Sequence, residues 1–300
     1  MNEFPPERQR GLFIHGILIV ILGVVSLTMF WFVFQAPVGL VFTVDILVAL
    51  LTFIPLPILA YRTYALTRGN YTLDRDNLRL MWGLRVEEIP VANVEWVRPV
   101  QALPTPIPLP WLHLPGSLLG TAVHPDLGTI EFLASETNTL LLVATAHRVY
   151  AISPADPTGF IAAFQRAIEM GSLSRVVARS QFPSFVVVIA WQSVLIRYLW
   201  LSGAFLNVGL LVWVTVLIPG LQRIPLGFTP AGAPQETVPG VQLILLPLLS
   251  ALLFIVGWLG GLFFYRRPDQ RILALVVWSS SVISTLFFLI AVFFLITTPI

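Results

Sequence analysis

The sequence predicts a membrane-spanning α-helical protein with about five transmembrane helices and one α+β cytoplasmic domain, in which antiparallel strands are closed by a C-terminal helix. Three observations carry this reading. Five apolar stretches, Leu12–Phe34, Leu40–Tyr61, Tyr198–Ile218, Leu243–Tyr265 and Ile272–Ile296, are each long enough to cross a hydrocarbon core about 30 Å thick at about 1.5 Å per helical residue. Between the second and third stretches the chain is polar and broken by turn residues. Charged residues make up only 11% of the chain and mean hydropathy is +0.86, whereas a soluble protein carries about a quarter charged residues.

The elements follow in order. The first stretch lies just after Arg8 and Arg10. Its apolar run exceeds the roughly 7–15 residues of a signal-peptide core, and no small-x-small cleavage site follows, so it reads as a retained anchor. A short loop, Gln35–Gly39, returns the chain through the second span, and residues 1–66 form a transmembrane hairpin. Residues 67–172 form the polar domain and residues 173–300 a three-helix transmembrane region. Basic residues near span ends stay in the cytoplasm. Arg8 and Arg10, Arg62 and Arg68, and Arg266, Arg267 and Arg271 all fall on one side of a five-span topology, while the opposite side holds Arg223 alone. The expected location is the cell inner (plasma) membrane, multi-pass, with the N-terminus and the domain cytoplasmic and the C-terminus outside.

Within the domain, Tyr71–Leu73 and Leu78–Trp82 read as strands joined at Asp74-Arg75-Asp76-Asn77, residue types that favour a turn. Leu78, Leu80 and Trp82 share one strand face. Gly83 turns the chain into Leu84–Ile89; Val94–Val97, Thr129–Ala134, Leu140–Ala144 and Val149–Ser153 are further strands. Asp156 as N-cap and Pro157 at the first helical position then start a helix that Gly171 ends. Phe160, Ile161, Phe164 and Ile168 form its apolar stripe.

Two segments carry a family resemblance. Tyr71-Thr72-Leu73-Asp74, Trp82-Gly83-Leu84-Arg85 and Glu88-Ile89-Pro90, followed by Arg148-Val149-Tyr150-Ala151-Ile152-Ser153-Pro154-Ala155-Asp156-Pro157 and Phe160, resemble the bacterial pleckstrin-homology-like (PH-like) domains of integral membrane proteins. The resemblance implies an antiparallel β-barrel with one open end plugged by the helix, through Phe160, Ile161 and Phe164. Ile224-Pro225, Gly232-Ala233-Pro234 and Pro239 before a span are similar, more weakly, to a bacterial membrane module found in some immunity and signalling proteins.

Composition excludes several chemistries. There is no cysteine, hence no disulfide, thiolate metal site or cysteine nucleophile. There is no lysine either, so arginine supplies every basic side chain. Between Arg62 and Phe182 ten arginines balance ten acids, which leaves no electrostatic footprint for nucleic acid. The four histidines are scattered without metal-ligand spacing. No G-x-S-x-G, P-loop or G-x-G-x-x-G is present, and neither an enzyme activity nor a cofactor is expected. In the first hairpin Arg75 is flanked by two acids, so it reads as a turn and not as a headgroup site.

The candidate polar or interaction residues are Asp45, Arg197, Trp111 and His113. Asp45 is a carboxylate inside the second span, where burial is costly and function is the default hypothesis; the alternative places it at headgroup level. Arg197 follows the apolar lead-in Phe185–Ile196 and reads as snorkelling at the cytoplasmic surface. Trp111 and His113 lie in Pro104–Pro115, whose repeated prolines force an extended backbone. This stretch either packs on the barrel or docks a partner. Gly257 and Gly261 form a G-x-x-x-G that suits close helix contact, within the chain or by self-association. The leading functional reading is a non-enzymatic membrane protein whose cytoplasmic PH-like domain is a membrane-tethered interaction or regulatory module. Its expected partners are the lipid bilayer and a protein bound at the domain. The alternative is a small transporter or immunity-type protein using the C-terminal helix bundle.

Overall fold

Five helical segments in the computed structural model are long and apolar enough to cross a membrane: Gln9–Gln35, Leu40–Thr67, Val194–Gly220, Gly240–Tyr265 and Pro268–Thr297. The structure describes residues 2–110, 113–171, 178–181, 186–225 and 237–297. In chain order the elements are β1 (Asn2–Phe4), α1 (Gln9–Gln35), α2 (Leu40–Phe53), α3 (Leu56–Thr67), β2 (Asn70–Leu73), β3 (Asn77–Trp82), β4 (Arg85–Pro90), β5 (Val94–Pro99), β6 (Leu118–His124), β7 (Gly128–Ala134), β8 (Leu141–Thr145), β9 (Val149–Ile152), α4 (Pro157–Met170), β10 (Arg179–Gln181), α5 (Val186–Gln192), α6 (Val194–Leu217), β11 (Arg223–Pro225), β12 (Thr237–Pro239), α7 (Leu245–Tyr265) and α8 (Arg271–Thr297). They divide into two compact units, residues 1–25 with 52–183 and residues 26–51 with 184–300. The second span is two helices, because Pro55 cannot donate its backbone hydrogen bond and breaks α2 from α3.

The first unit holds the polar domain. Its strands form two five-stranded sheets, β1-β2-β3-β4-β10 and β5-β8-β9-β7-β6. Leu78, Leu80 and Trp82 of β3 all face the core. Gly83 at φ +62 makes the two-residue turn into β4, a backbone conformation that costs any other residue. Tyr71 ties the sheets together: its hydroxyl donates to the Leu133 carbonyl at 2.5 Å and accepts from the Ser153 amide at 3.3 Å. Burial holds that phenol above its ordinary pKa.

One expectation needs correction. The strands are not all antiparallel, since β7 and β9 pair in parallel, Ile130 to Val149 through Leu133 to Ile152. The chain reverses at each of the two connections from β7 through β8 to β9, so β7 and β9 run the same way. The residue 135–140 connection carries β8 past β9 to pair with β5, leaving β9 beside β7. Among the described residues no strand pairing closes the two sheets into a barrel.

α4 has the bounds read from the sequence. Asp156 accepts from the Gly159 amide at 2.8 Å, and this bond, with that from Thr158, holds its carboxyl below the usual range. Gly171 at φ +64 ends the helix. The buried face is Phe160, Ala163, Phe164 and Ala167, and Ile168 is 53% exposed. The stripe is thus rotated toward the alanines, which fit where the helix meets the sheet closely. Arg75 caps the other end, donating to the carbonyls of Met170 and, at 2.7 Å, of Gly171. Its charge is engaged at the negative end of a helix dipole.

Ile107 and Leu103 pack against the outer face of the second sheet, beside Phe132 and Leu142. This part of the proline-rich stretch covers apolar sheet surface.

In the second unit three spans share a polar lock. The Asn207 side-chain amide on α6 donates to Thr285 Oγ1 on α8 at 3.0 Å and to the Gly203 carbonyl at 2.9 Å, and accepts from Ser250 Oγ on α7 at 2.9 Å. Trp200 lies edge-on to Trp258 and Trp278. Gly257 and Gly261 face α8, where a Cβ on either would run into Ser281 or Trp278. The small residues are used for packing inside the chain. The lead-in before α6 is a separate helix, α5, interrupted at Ser193. Gly232-Ala233-Pro234 lie outside the described residues.

Candidate functional site

The alternation of β4 puts Arg85, Glu87 and Ile89 on the inward face. Two of these three buried positions are charged, which core packing alone does not ask for. The charges are compensated across the gap between the sheets. Arg85 holds Glu87 through both Nε and Nη2 at 2.8 Å, and Nη2 also lies 2.8 Å from Glu131 Oε2 on β7. Arg148, at the β8–β9 turn, reaches the same Glu131 oxygen at 3.4 Å. Ser180 Oγ on β10 donates to Glu87 Oε1 at 2.8 Å. A planar guanidinium suits this role because it serves two carboxylates at fixed angles.

Electrostatics follow from the burial. Desolvation alone lowers the Arg85 pKa, but hydrogen bonds and charge from Glu131, then Glu87, reverse the effect and leave it raised. Neighbouring Tyr150 is pushed up to about 12, first by burial and then by the negative charges of Glu87 and Glu131. Both tyrosine and arginine therefore keep their protons at neutral pH.

The network reaches, through Glu87 and Arg148, a groove of about 530 Å³ whose walls also include Glu88, Glu95, His147, Tyr150 and Arg179. β10 forms one side, the β4–β5 connection another and the β8–β9 turn a third. The lining mixes polar and apolar surface and carries both signs of charge. It can receive a chain with its own hydrogen-bonding groups better than an apolar small molecule.

A second polar chain lies elsewhere. Asp126 donates its amide to His124 Nδ1 at 3.2 Å, His124 Nε2 is 2.9 Å from Thr105 Oγ1, and that hydroxyl is 3.3 Å from Asp126 Oδ2. An Nδ1 that accepts leaves the proton on Nε2, so the imidazole donates to the hydroxyl and cannot take its proton. This is a turn pair closed by a threonine, opposite in polarity to an activated nucleophile.

The residues singled out in the sequence do not meet at the groove. Asp45 is half-buried on α2, two residues after Thr43, whose hydroxyl donates to the Gly39 carbonyl at 2.8 Å. Arg197 is half-buried in the first turn of α6. No ion pair joins these two among the described residues. His113 has Nδ1 3.0 Å from the Pro110 carbonyl and lines a separate hollow of about 390 Å³ with Arg10 and Glu136, themselves 3.8 Å apart. Trp111 lies outside the described residues.

Arg85, Glu87, Glu131 and Arg148 were missed by motif reading. Their signal was available: in Leu84-Arg85-Val86-Glu87-Glu88-Ile89, a two-residue period puts two opposite charges on the same face as Ile89. In isolation that pattern reads equally well as a solvated strand face.

Residues 69–168 match the family model described as Bacterial PH domain. No curated protein and no solved structure matches the chain.

Proposed function

We propose that this chain is a non-enzymatic integral membrane protein whose PH-like domain is an interaction or regulatory module held at the cytoplasmic face of the cell membrane. The family match over residues 69–168 and the five apolar spans support a membrane-associated module. The arginine distribution favours a cytoplasmic N-terminus and domain, and an external C-terminus. Pairing of β1 with β2 supports the same parity, because it keeps residues 2–4 on the side of the membrane that holds the domain. We read the two sheets as the halves of the PH barrel, with α4 filling its open end.

The observation that carries the interaction reading is the charged groove that the Arg85–Glu87–Glu131 network reaches through Glu87. It combines one buried, ion-paired carboxylate, Glu87, with exposed charges at its rim. Such a buried pair fixes geometry more than it adds stability, and rim charges select partners. The partner is a protein. The test is affinity capture from native membranes, using the full chain and a variant with both rim charges reversed, Glu95→Arg with Arg148→Glu. A discrete protein captured by the natural chain and lost with the reversal supports the reading. Capture that is indifferent to the reversal, or a solute-flux or protection phenotype with no partner, overturns it in favour of a transport or immunity role for the helix bundle.

A further inference from the structure

The first sheet is longer than the segment that matches the family. Residues 69–168 supply only β2, β3 and β4; its two outer strands are β1 and β10, from the flanking chain. β10 lies on β4 in antiparallel register, Arg179 opposite Glu88, Ser180 opposite Glu87 and Gln181 opposite Val86.

Two features set this pairing apart. β4 is built as an edge strand although a neighbour covers it. Inward-pointing charges, here Arg85 and Glu87, are one device by which sheet edges are protected from unwanted pairing, and here Arg85 also pairs with Glu87 and, across the sheets, with Glu131. β10, in turn, is weakly held. It is three residues long, and Arg179 and Ser180 are exposed. Its anchors include a short ladder, the hydrogen bond from Ser180 to Glu87 and an interaction of Arg179. Segments with little buried surface open at the lowest free-energy cost.

We propose that the β4 edge is a strand-acceptor site, that β10 is its resident occupant in cis, and that its exogenous ligand is an extended segment of a partner protein presenting a basic residue followed by a serine or threonine. This rests on the interaction reading above and names the partner chemistry for the same groove. Backbone pairing supplies the affinity, and side chains at alternate positions supply the selectivity. The basic residue stands opposite Glu88, which on its other side faces Arg79 at 3.7 Å. The hydroxyl stands opposite Glu87, whose Oε1 is within reach of the groove. A partner strand displaces β10.

The test uses the full chain in lipid nanodiscs. Ser180→Pro removes an amide and the hydroxyl from β10; Ser180→Asp sets a like charge against Glu87 and is the second route to an open edge. The probe is a fluorescent peptide with the sequence of residues 174–182. In both variants the β4 amides facing β10 should exchange hydrogen at least about tenfold faster, with α4 and β8 unchanged. The peptide should bind the variants at least about tenfold more tightly than the natural chain, where the tethered strand competes at high effective concentration. Binding should restore protection, and a peptide with Glu in place of Arg179 should fail. Unchanged exchange at β4, or no peptide binding to the opened edge, overturns the proposal. If native capture still depends on Glu95 and Arg148 while the peptide fails, strand addition falls and the interaction reading stands.

Discussion

Arg85 is buried together with two carboxylates, an arrangement that is costly to leave half-made. Removing one member of such a cluster strands an uncompensated charge, at about 3–5 kcal/mol. The same cluster makes Tyr150 a reporter. An unfolded tyrosine loses its proton near pH 10, while folded Tyr150 holds it to about 12. Across that interval the unfolded chain binds fewer protons, so stability is complete below about pH 10 and falls as pH rises toward about 12. The chain has neither lysine nor cysteine, so side-chain titration there belongs to tyrosines. We predict that Tyr150→Phe flattens the alkaline decline of the denaturant midpoint. Parallel declines in the two proteins would remove the coupling between Tyr150 and the network. At this scale the sequence was least informative. Asp45 and Arg197 stand out in it because they interrupt apolar runs, whereas Glu87 and Glu131 sit among ordinary strand residues. Only their meeting across two sheets, between positions far apart in the chain, marks them.

Elements were legible where local chemistry defines them. Asp156, Pro157 and Gly171 set both ends of α4 before any tertiary contact is considered. The side chain of Phe164 is 4% exposed, and we predict that Phe164→Ala costs the domain about 3–5 kcal/mol in chemical denaturation. A loss below about 1 kcal/mol would mean that α4 does not seal this core. The buried stripe was harder to read, because alanines at helical spacing look neutral until a neighbouring sheet comes close enough to exclude anything larger. β6 was missed altogether: Gly120, at φ +133, interrupts Leu118–His124 and the preceding prolines mask its start. β1 and β10 are three residues each, too short to show a period, and their partners lie far away in sequence.

For the whole molecule, hydropathy alone was sufficient to find five helices long and apolar enough to span a membrane, since a bilayer demands length and apolarity from each segment independently of the others. Which side is which depends on arginines near the span ends. We predict a cytoplasmic reporter signal from a fusion at Leu127 and external signals from fusions at Pro37 and the C-terminus. An external signal at Leu127 would invert the topology. The ladder between β1 and β2 adds a condition of timing. Residues 2–4 leave the ribosome before the hairpin, yet their partners, residues 71–73, come only after both of its segments have been made. At ~5–20 residues per second, synthesis of that stretch takes seconds, against microseconds for hairpin closure. The N-terminal strand therefore waits unpaired while the first two spans go in, and the sheet closes on it as a late, high-contact-order event that joins membrane insertion to completion of the domain.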